Sequence, residues 1–125
     1  MRILLIEDNP TNAGEFLSML HQNGFANVVH QSSGIEGLQA AKAEAFDLIL
    51  IDFDLPDLYG THVGLALYWL MRRNKIPTAP MIALTAQSRA ASELEAAQLG
   101  FSAFIGKPCT EADLLNTVRQ LTKAT

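Results

Sequence analysis

Short apolar runs of strand length alternate along the chain with stretches whose apolar positions recur every three or four residues. Residues 1–6 (MRILLI) form the first run, halted by Glu7-Asp8-Asn9-Pro10. Asn9 is placed to cap a helix whose first turn accepts Pro10; Ala13, Phe16, Leu17 and Leu20 follow at helical spacing, and Gly24 is the stop. Val28 and Val29 mark a brief second strand, and Ser33-Gly-Ile-Glu36 reads as a capping box opening a helix to about residue 45. Residues 47–51 (DLILI) are apolar after the first, as a parallel strand covered on both faces should be. A loop with Asp52, Asp54, Pro56 and Asp57 leads to a hydrophobic helix over 61–73. A fourth strand over 80–84 delivers Thr85 at its end, and a helix over 92–99 stops at Gly100. A fifth strand over 101–105 gives way to Gly106-Lys107-Pro108, and Thr110 caps a last helix with Leu114, Val118 and Leu121 facing inward.

Five strands alternating with five helices predict an α/β fold, an open parallel sheet covered on both faces. In such sheets ligands sit beyond the carboxyl ends of the strands, where the strand order reverses. Those ends carry Glu7 and Asp8, then Asp52 and Asp54, then Thr85, then Lys107. With the order 2-1-3-4-5, the first and third strands are neighbours, and Glu7, Asp8 and Asp52 converge. At an effective dielectric of about 20 and ~5 Å separation, each pair of carboxylates costs roughly 3 kcal/mol. A hard divalent cation with oxygen ligands would offset that repulsion, and Mg²⁺ is the first candidate. A carboxylate nucleophile, a metal, a lysine and a hydroxyl donor together suit phosphoryl transfer onto the carboxylate.

Composition narrows the picture. The 125 residues are 49% hydrophobic and 18% charged, which suits one folded domain rather than a disordered chain. Nine Lys and Arg against 13 Asp and Glu give a net charge of -4, a poor balance for gripping nucleic-acid phosphates, so no direct nucleic-acid binding is expected. No apolar run is long enough for membrane insertion, and the first strand leaves no room for a signal peptide. A single cysteine, Cys109, excludes an internal disulfide, fits a cytoplasmic location and reads as a loop residue rather than a redox sensor. Glu7, Asp8, Asp52, Asp54 and Asp57 with Lys107 sum to the whole net charge of -4; the other eight acids and eight bases cancel. The acidity is expected to sit in one pocket, with Asp57 as its solvated outer member. His21, His30 and His62 lack metal-ligand spacing and are assigned no chemistry. Tyr68 and Trp69 either mark a partner surface or pack into a crevice beside the Val63, Leu67 and Leu70 face.

Ile6-Glu7-Asp8-Asn9, Leu50-Ile51-Asp52-Phe53-Asp54-Leu55-Pro56 through Gly60, Ala83-Leu84-Thr85-Ala86 and Lys107-Pro108 resemble the receiver domains of two-component response regulators. The resemblance spans essentially the whole chain, with 44 residues from Asp8 to Asp52 and 22 from Thr85 to Lys107. The 33 residues from Asp52 to Thr85 exceed the family's usual spacing by a few, which places an enlargement around 72–79. Any one motif is unspecific; the four in register are specific. The resemblance implies a flavodoxin-like (βα)5 doubly wound sheet and a single receiver domain over residues 1–125. It implies Asp52 as phosphoacceptor, taking its phosphoryl group from a histidine kinase or histidine phosphotransfer domain. Asp8 and Asp52 would ligate Mg²⁺ directly, Glu7 through water and Asp54 through its backbone carbonyl. Thr85 and Lys107 would take phosphoryl oxygens, and Lys107 would precede a cis proline bond. Phe104 falls at the family's aromatic switch position and turns inward as Thr85 moves, shifting the surface of the fourth helix, fifth strand and fifth helix. Asp54 and Gln87 would flank the path of hydrolytic water. Downstream, such a domain docks on a partner or acts on a tethered kinase, since Glu7-Asp-Asn-Pro-Thr-Asn12 resembles the opening of many hybrid-kinase receivers. Two other classes compete. A haloacid-dehalogenase-type phosphatase also uses a strand-end Asp-x-Asp, but on its first strand; a pseudo-receiver is a binding module that keeps the fold without phosphorylation, and the intact acid, Thr and Lys set argues against it.

Overall fold

The computed structural model describes residues 1–86 and 90–122. Its order is β1 (Ile3–Ile6), α1 (Pro10–Gln22), β2 (Val28–Gln31), α2 (Gly34–Ala43), β3 (Leu48–Asp52), α3 (Gly60–Arg72), β4 (Met81–Thr85), α4 (Ala90–Gln98), β5 (Ala103–Gly106) and α5 (Glu111–Thr122). The five strands pair in parallel, as the alternation predicted, and their order is β2-β1-β3-β4-β5, the one assumed from the sequence. β1, β3 and β4 are buried along their whole length, which explains their unbroken apolar sequence.

Side chains alternate between the two faces of the sheet and build two cores. Leu4, Ile6, Ile49, Ile51, Met81 and Ala83 meet Val63, Leu67 and Met71 of α3 on one face. Ile3, Leu5, Leu48, Leu50, Ile82 and Leu84 meet Phe16 and Leu20 of α1 and Leu114 and Val118 of α5 on the other. With a few tens of buried apolar side chains at roughly 1.5–3 kcal/mol each, it is chiefly hydrophobic burial that holds the layers together.

The element ends follow local chemistry. The Asn9 side-chain oxygen accepts from the N–H groups of Thr11 and Asn12 at 2.9 and 3.0 Å, fixing the start of α1. Gly24 and Gly100 follow α1 and α4 with φ of +92° and +88°, the left-handed stop that glycine accepts without a Cβ clash. The capping box at α2 is half formed. Ser33 Oγ accepts from the Glu36 N–H at 3.2 Å, but the Glu36 carboxylate meets the Ser33 hydroxyl at 3.1 Å rather than a backbone donor. Strand β3 runs one residue further than the apolar pattern indicated: Asp52 is polar, yet its backbone pairs with Leu84. Residues 73–80 form the connection from α3 to β4, in which Asn74 has φ of 57° and Ile76 and Ala79 are buried.

Candidate phosphoacceptor site

The strand order places the carboxyl ends of β1, β3, β4 and β5 side by side, and each brings a candidate side chain to the same pocket, with Asp8 following Glu7 at the end of β1. Glu7 follows β1 directly; Asp52 ends β3; Thr85 ends β4; Lys107 follows β5. The Lys107 N–H donates to the Thr85 carbonyl at 2.6 Å, tying those two positions together. The Lys107-Pro108 bond is cis, as the resemblance implied.

Glu7, Asp52 and Thr85 are the buried polar residues of the described chain, at 0%, 1% and 3% exposure, and all three belong to this pocket. One carboxylate oxygen from each of Glu7, Asp8 and Asp52 lies within 4.8 Å of the others, so the predicted convergence holds. Lys107 Nζ bridges Glu7 Oε1 and Asp52 Oδ1, both at 3.1 Å. Asp52 Oδ1 also accepts from the Asp54 N–H at 3.0 Å, and Glu7 Oε2 accepts from the Asn9 N–H at 3.3 Å. Burial, then the hydrogen bond and charge of Asp52, push the Glu7 carboxyl up to about 7, against the opposing pull of Lys107. Burial works to lower the Lys107 ammonium, but the charges of Asp52 and Glu7 outweigh it and hold the amine above the usual lysine range.

One ammonium among three carboxyl groups leaves the cluster with excess negative charge. Its donors are all oxygen, and Asp8 stands at the outer edge of the pocket. That set fits a hard divalent cation of the Mg²⁺ kind, which favours carboxylates and retains water ligands.

Asp57 departs from the expectation. It lies on the surface, but its two carboxylate oxygens accept from the Gly34 and Ile35 N–H groups at 2.8 and 2.9 Å. It caps the positive end of α2 from across the loop, and those amide donors hold its carboxyl below the usual aspartate value. Its charge therefore belongs to α2, and the pocket's share of the net charge is smaller than the sequence count assigned. Asp54 is exposed, and Gln87 lies outside the described residues.

Three neighbours escaped the sequence reading. His30 Nε2 lies 2.8 Å from the Glu7 carbonyl and so braces the backbone under the acid cluster. Phe53, next to Asp52, meets Phe101 and Phe104 edge-on at ring-centroid distances of 5.4 and 6.4 Å. The residue after Asp52 thus touches the predicted aromatic switch. A cleft of about 250 Å³ opens beside Lys107, lined by Asn12, Phe16, Met19 and Cys109 among others. Burial, with Asp113 and Glu15, raises the Cys109 thiol, which makes it a poor thiolate and supports its reading as a loop residue.

Comparison with known proteins agrees with this geometry. Residues 3–119 match the family described as the response regulator receiver domain. The sensor protein GacS of Pseudomonas syringae pv. syringae is 33% identical over 122 residues, covering 97% of this chain; the chain spans 13% of that protein's length. The polar-differentiation response regulator DivK of Brucella ovis is 30% identical over 117 residues, covering 94% of this chain and 92% of DivK. The receiver domain of a sensor histidine kinase from Pseudomonas aeruginosa PAO1, solved with a magnesium ion in its active-site cleft, superposes with a TM-score of 0.85. That structure is 28% identical, with 98% of each chain covered. Receivers act as phosphoacceptors rather than as turnover enzymes, which removes the dehalogenase-type phosphatase reading. No described helix is long and apolar enough to cross a membrane. With the strand-end acids, the Thr85 and Lys107 positions and the strand order all in register, the chain belongs to the response regulator receiver domain family.

Proposed function

We propose that Asp52 is the phosphoacceptor of a two-component phosphorelay and receives its phosphoryl group from a histidine kinase or a histidine phosphotransfer domain. An Asp52 carboxylate oxygen attacks phosphorus of the donor's phosphohistidine; the P–O bond forms, the P–N bond breaks, and the imidazole departs. Asp8 and Asp52 would hold Mg²⁺, with Glu7 acting through water and Asp54 through its backbone carbonyl. Bound there, Mg²⁺ would offset charge on the transferring oxygens. Lys107 and the Thr85 hydroxyl receive phosphoryl oxygens once Asp52 is modified.

The observation that carries this reading is the Lys107 ammonium 3.1 Å from both Glu7 and Asp52 at the mouth of a buried acid cluster. A cation already in contact with Asp52 is placed to meet the incoming anion. Thr85 and Phe104 form the switch: Thr85 moves toward the phosphoryl group, and Phe104 repacks against Phe53 to shift α4, β5 and α5. The downstream target is a docking partner or a kinase carrying this domain. The experiment is phosphotransfer profiling, with autophosphorylated histidine kinases and loaded phosphotransfer domains offered to the wild type and to Asp52→Asn. The reading expects rapid Mg²⁺-dependent transfer from a subset of donors to the wild type alone. Equal labelling of Asp52→Asn would refute it.

A further inference from the structure

Helix α3 carries an outer face that the phosphoacceptor role does not use. Its buried side holds Val63, Gly64, Leu67 and Met71 against the sheet. On the opposite side Leu65 and Trp69 are exposed, Trp69 by 51%, in line with His62 and with Tyr59 at the helix start. The stripe is polarised along the axis. No acid occurs between Gly60 and Lys75; Arg72, Arg73 and Lys75 crowd the C-terminal end, all exposed. At the N-terminal end Asp57 lines a surface hollow with Tyr59 and His62; it caps α2, yet it stays exposed and keeps its negative charge at this end of the face. The face therefore reads acid, aromatic, apolar, basic over a helix of 13 residues, about 20 Å long.

Such a sequence of charges is complementary to itself when reversed. We propose that α3 pairs antiparallel with α3 of a second copy of this chain, about a two-fold axis near Leu65 and Ala66, forming a transient homodimer. Reversal sets Trp69 over the partner copy's His62 and Leu65 region, and brings Arg73 and Lys75 to its Tyr59 and Asp57 end. An isologous contact needs this self-complementarity, and a parallel pairing would instead stack basic end on basic end. Arg73 already lies over the Trp69 ring at 5.5 Å and Tyr68 meets it edge-on at 6.2 Å, while about half of Trp69 stays open to solvent for the partner copy. Tyr59 and His62, edge-on at 5.5 Å, extend the aromatic surface toward the acidic end. A single helix face falls at the small end of specific interfaces, below about 1,200 Å² in total, so the association is weak and sensitive to salt.

Trp69 is the only tryptophan in the chain, so it reports on this face alone. The test follows sedimentation velocity and Trp69 emission from about 10 μM to about 1 mM without phosphodonor. The expected result is monomer-to-dimer conversion, with a blue shift and reduced acrylamide quenching as dimer forms. Trp69→Glu should weaken association at least tenfold and Arg73→Glu several-fold, while Leu94→Glu on α4 leaves it unchanged. Trp69→Glu should also still accept phosphate from acetyl phosphate, which separates this proposal from the phosphoacceptor reading. A monomer throughout, a dimer that leaves Trp69 emission and quenching unaltered, or a dimer lost with Leu94→Glu but not Trp69→Glu would each overturn it.

Discussion

Glu7 sits under Lys107 and beside Asp52 with its carboxyl pushed up to about 7 by burial and by that neighbour. Two consequences follow at this residue. A cation entering the cluster displaces the Glu7 proton, so apparent Mg²⁺ affinity should fall about tenfold per pH unit below about 7; Mg²⁺ titrations at stepped pH check the slope, and Glu7→Gln should flatten it. For the metal-free protein, a carboxyl raised above its unfolded value contributes stability that is complete below about 4.5 and withdrawn as pH rises through about 7. Urea melts of wild type and Glu7→Gln across that interval should show the loss in the wild type alone. Asp57 behaves in the opposite sense. Its lowered carboxyl contributes stability above the ordinary aspartate range, lost as pH falls through its folded value, and Asp57→Ala should lower the melting temperature by leaving the Gly34 and Ile35 N–H groups uncapped. The acid cluster was legible in the sequence because its members stand at the carboxyl ends of apolar strands. The Asp57 cap was not, because it joins positions 23 residues apart through loop geometry that no periodicity encodes.

At the scale of elements, the start of α3 is held against the end of β3 through Gly60. Its N–H donates to the Phe53 carbonyl at 3.1 Å, and a Cβ there would collide with the Asp52 carbonyl and lie 2.6 Å from Phe53 Cα. Backbone cannot yield as a side chain can, so Gly60→Ala should cost about 2–3 kcal/mol and displace Asp52. Thermal melts and acetyl-phosphate labelling should both register the change. Phe104 is half-buried on β5 and packs on Phe53, so Phe104→Ala should cost about 2 kcal/mol while Asp52 still accepts phosphate. The switch reading adds that amide shifts in β5 and α5 on phosphorylation should shrink in that variant. Element order and type were readable from apolar spacing, since both helices and strands bury periodic faces. Their ends slipped by a residue or more where backbone pairing, rather than side-chain polarity, decides: Asp52 belongs to β3, and Met1 and Arg2 lie outside β1.

Across the whole molecule, the parallel order β2-β1-β3-β4-β5 joins residues the chain separates widely, Glu7 and Lys107 among them, 100 positions apart. That order was an assumption in the sequence, made firm by four motifs falling at strand ends. What the sequence could not supply was the local balance of charge: Lys107 shared between two carboxylates, and Asp57 spent on α2. The outer face of α3 shows the same limit, since Trp69 could have filled a crevice and instead stands exposed. Phosphorylation of Asp52 is the central claim, and intact-mass spectrometry after incubation with acetyl phosphate and Mg²⁺ tests it most directly. A single phosphate adduct should form in the wild type, vanish on chelation of Mg²⁺, and be absent from Asp52→Asn. An unmodified wild type, or an adduct that persists in Asp52→Asn, would contradict it.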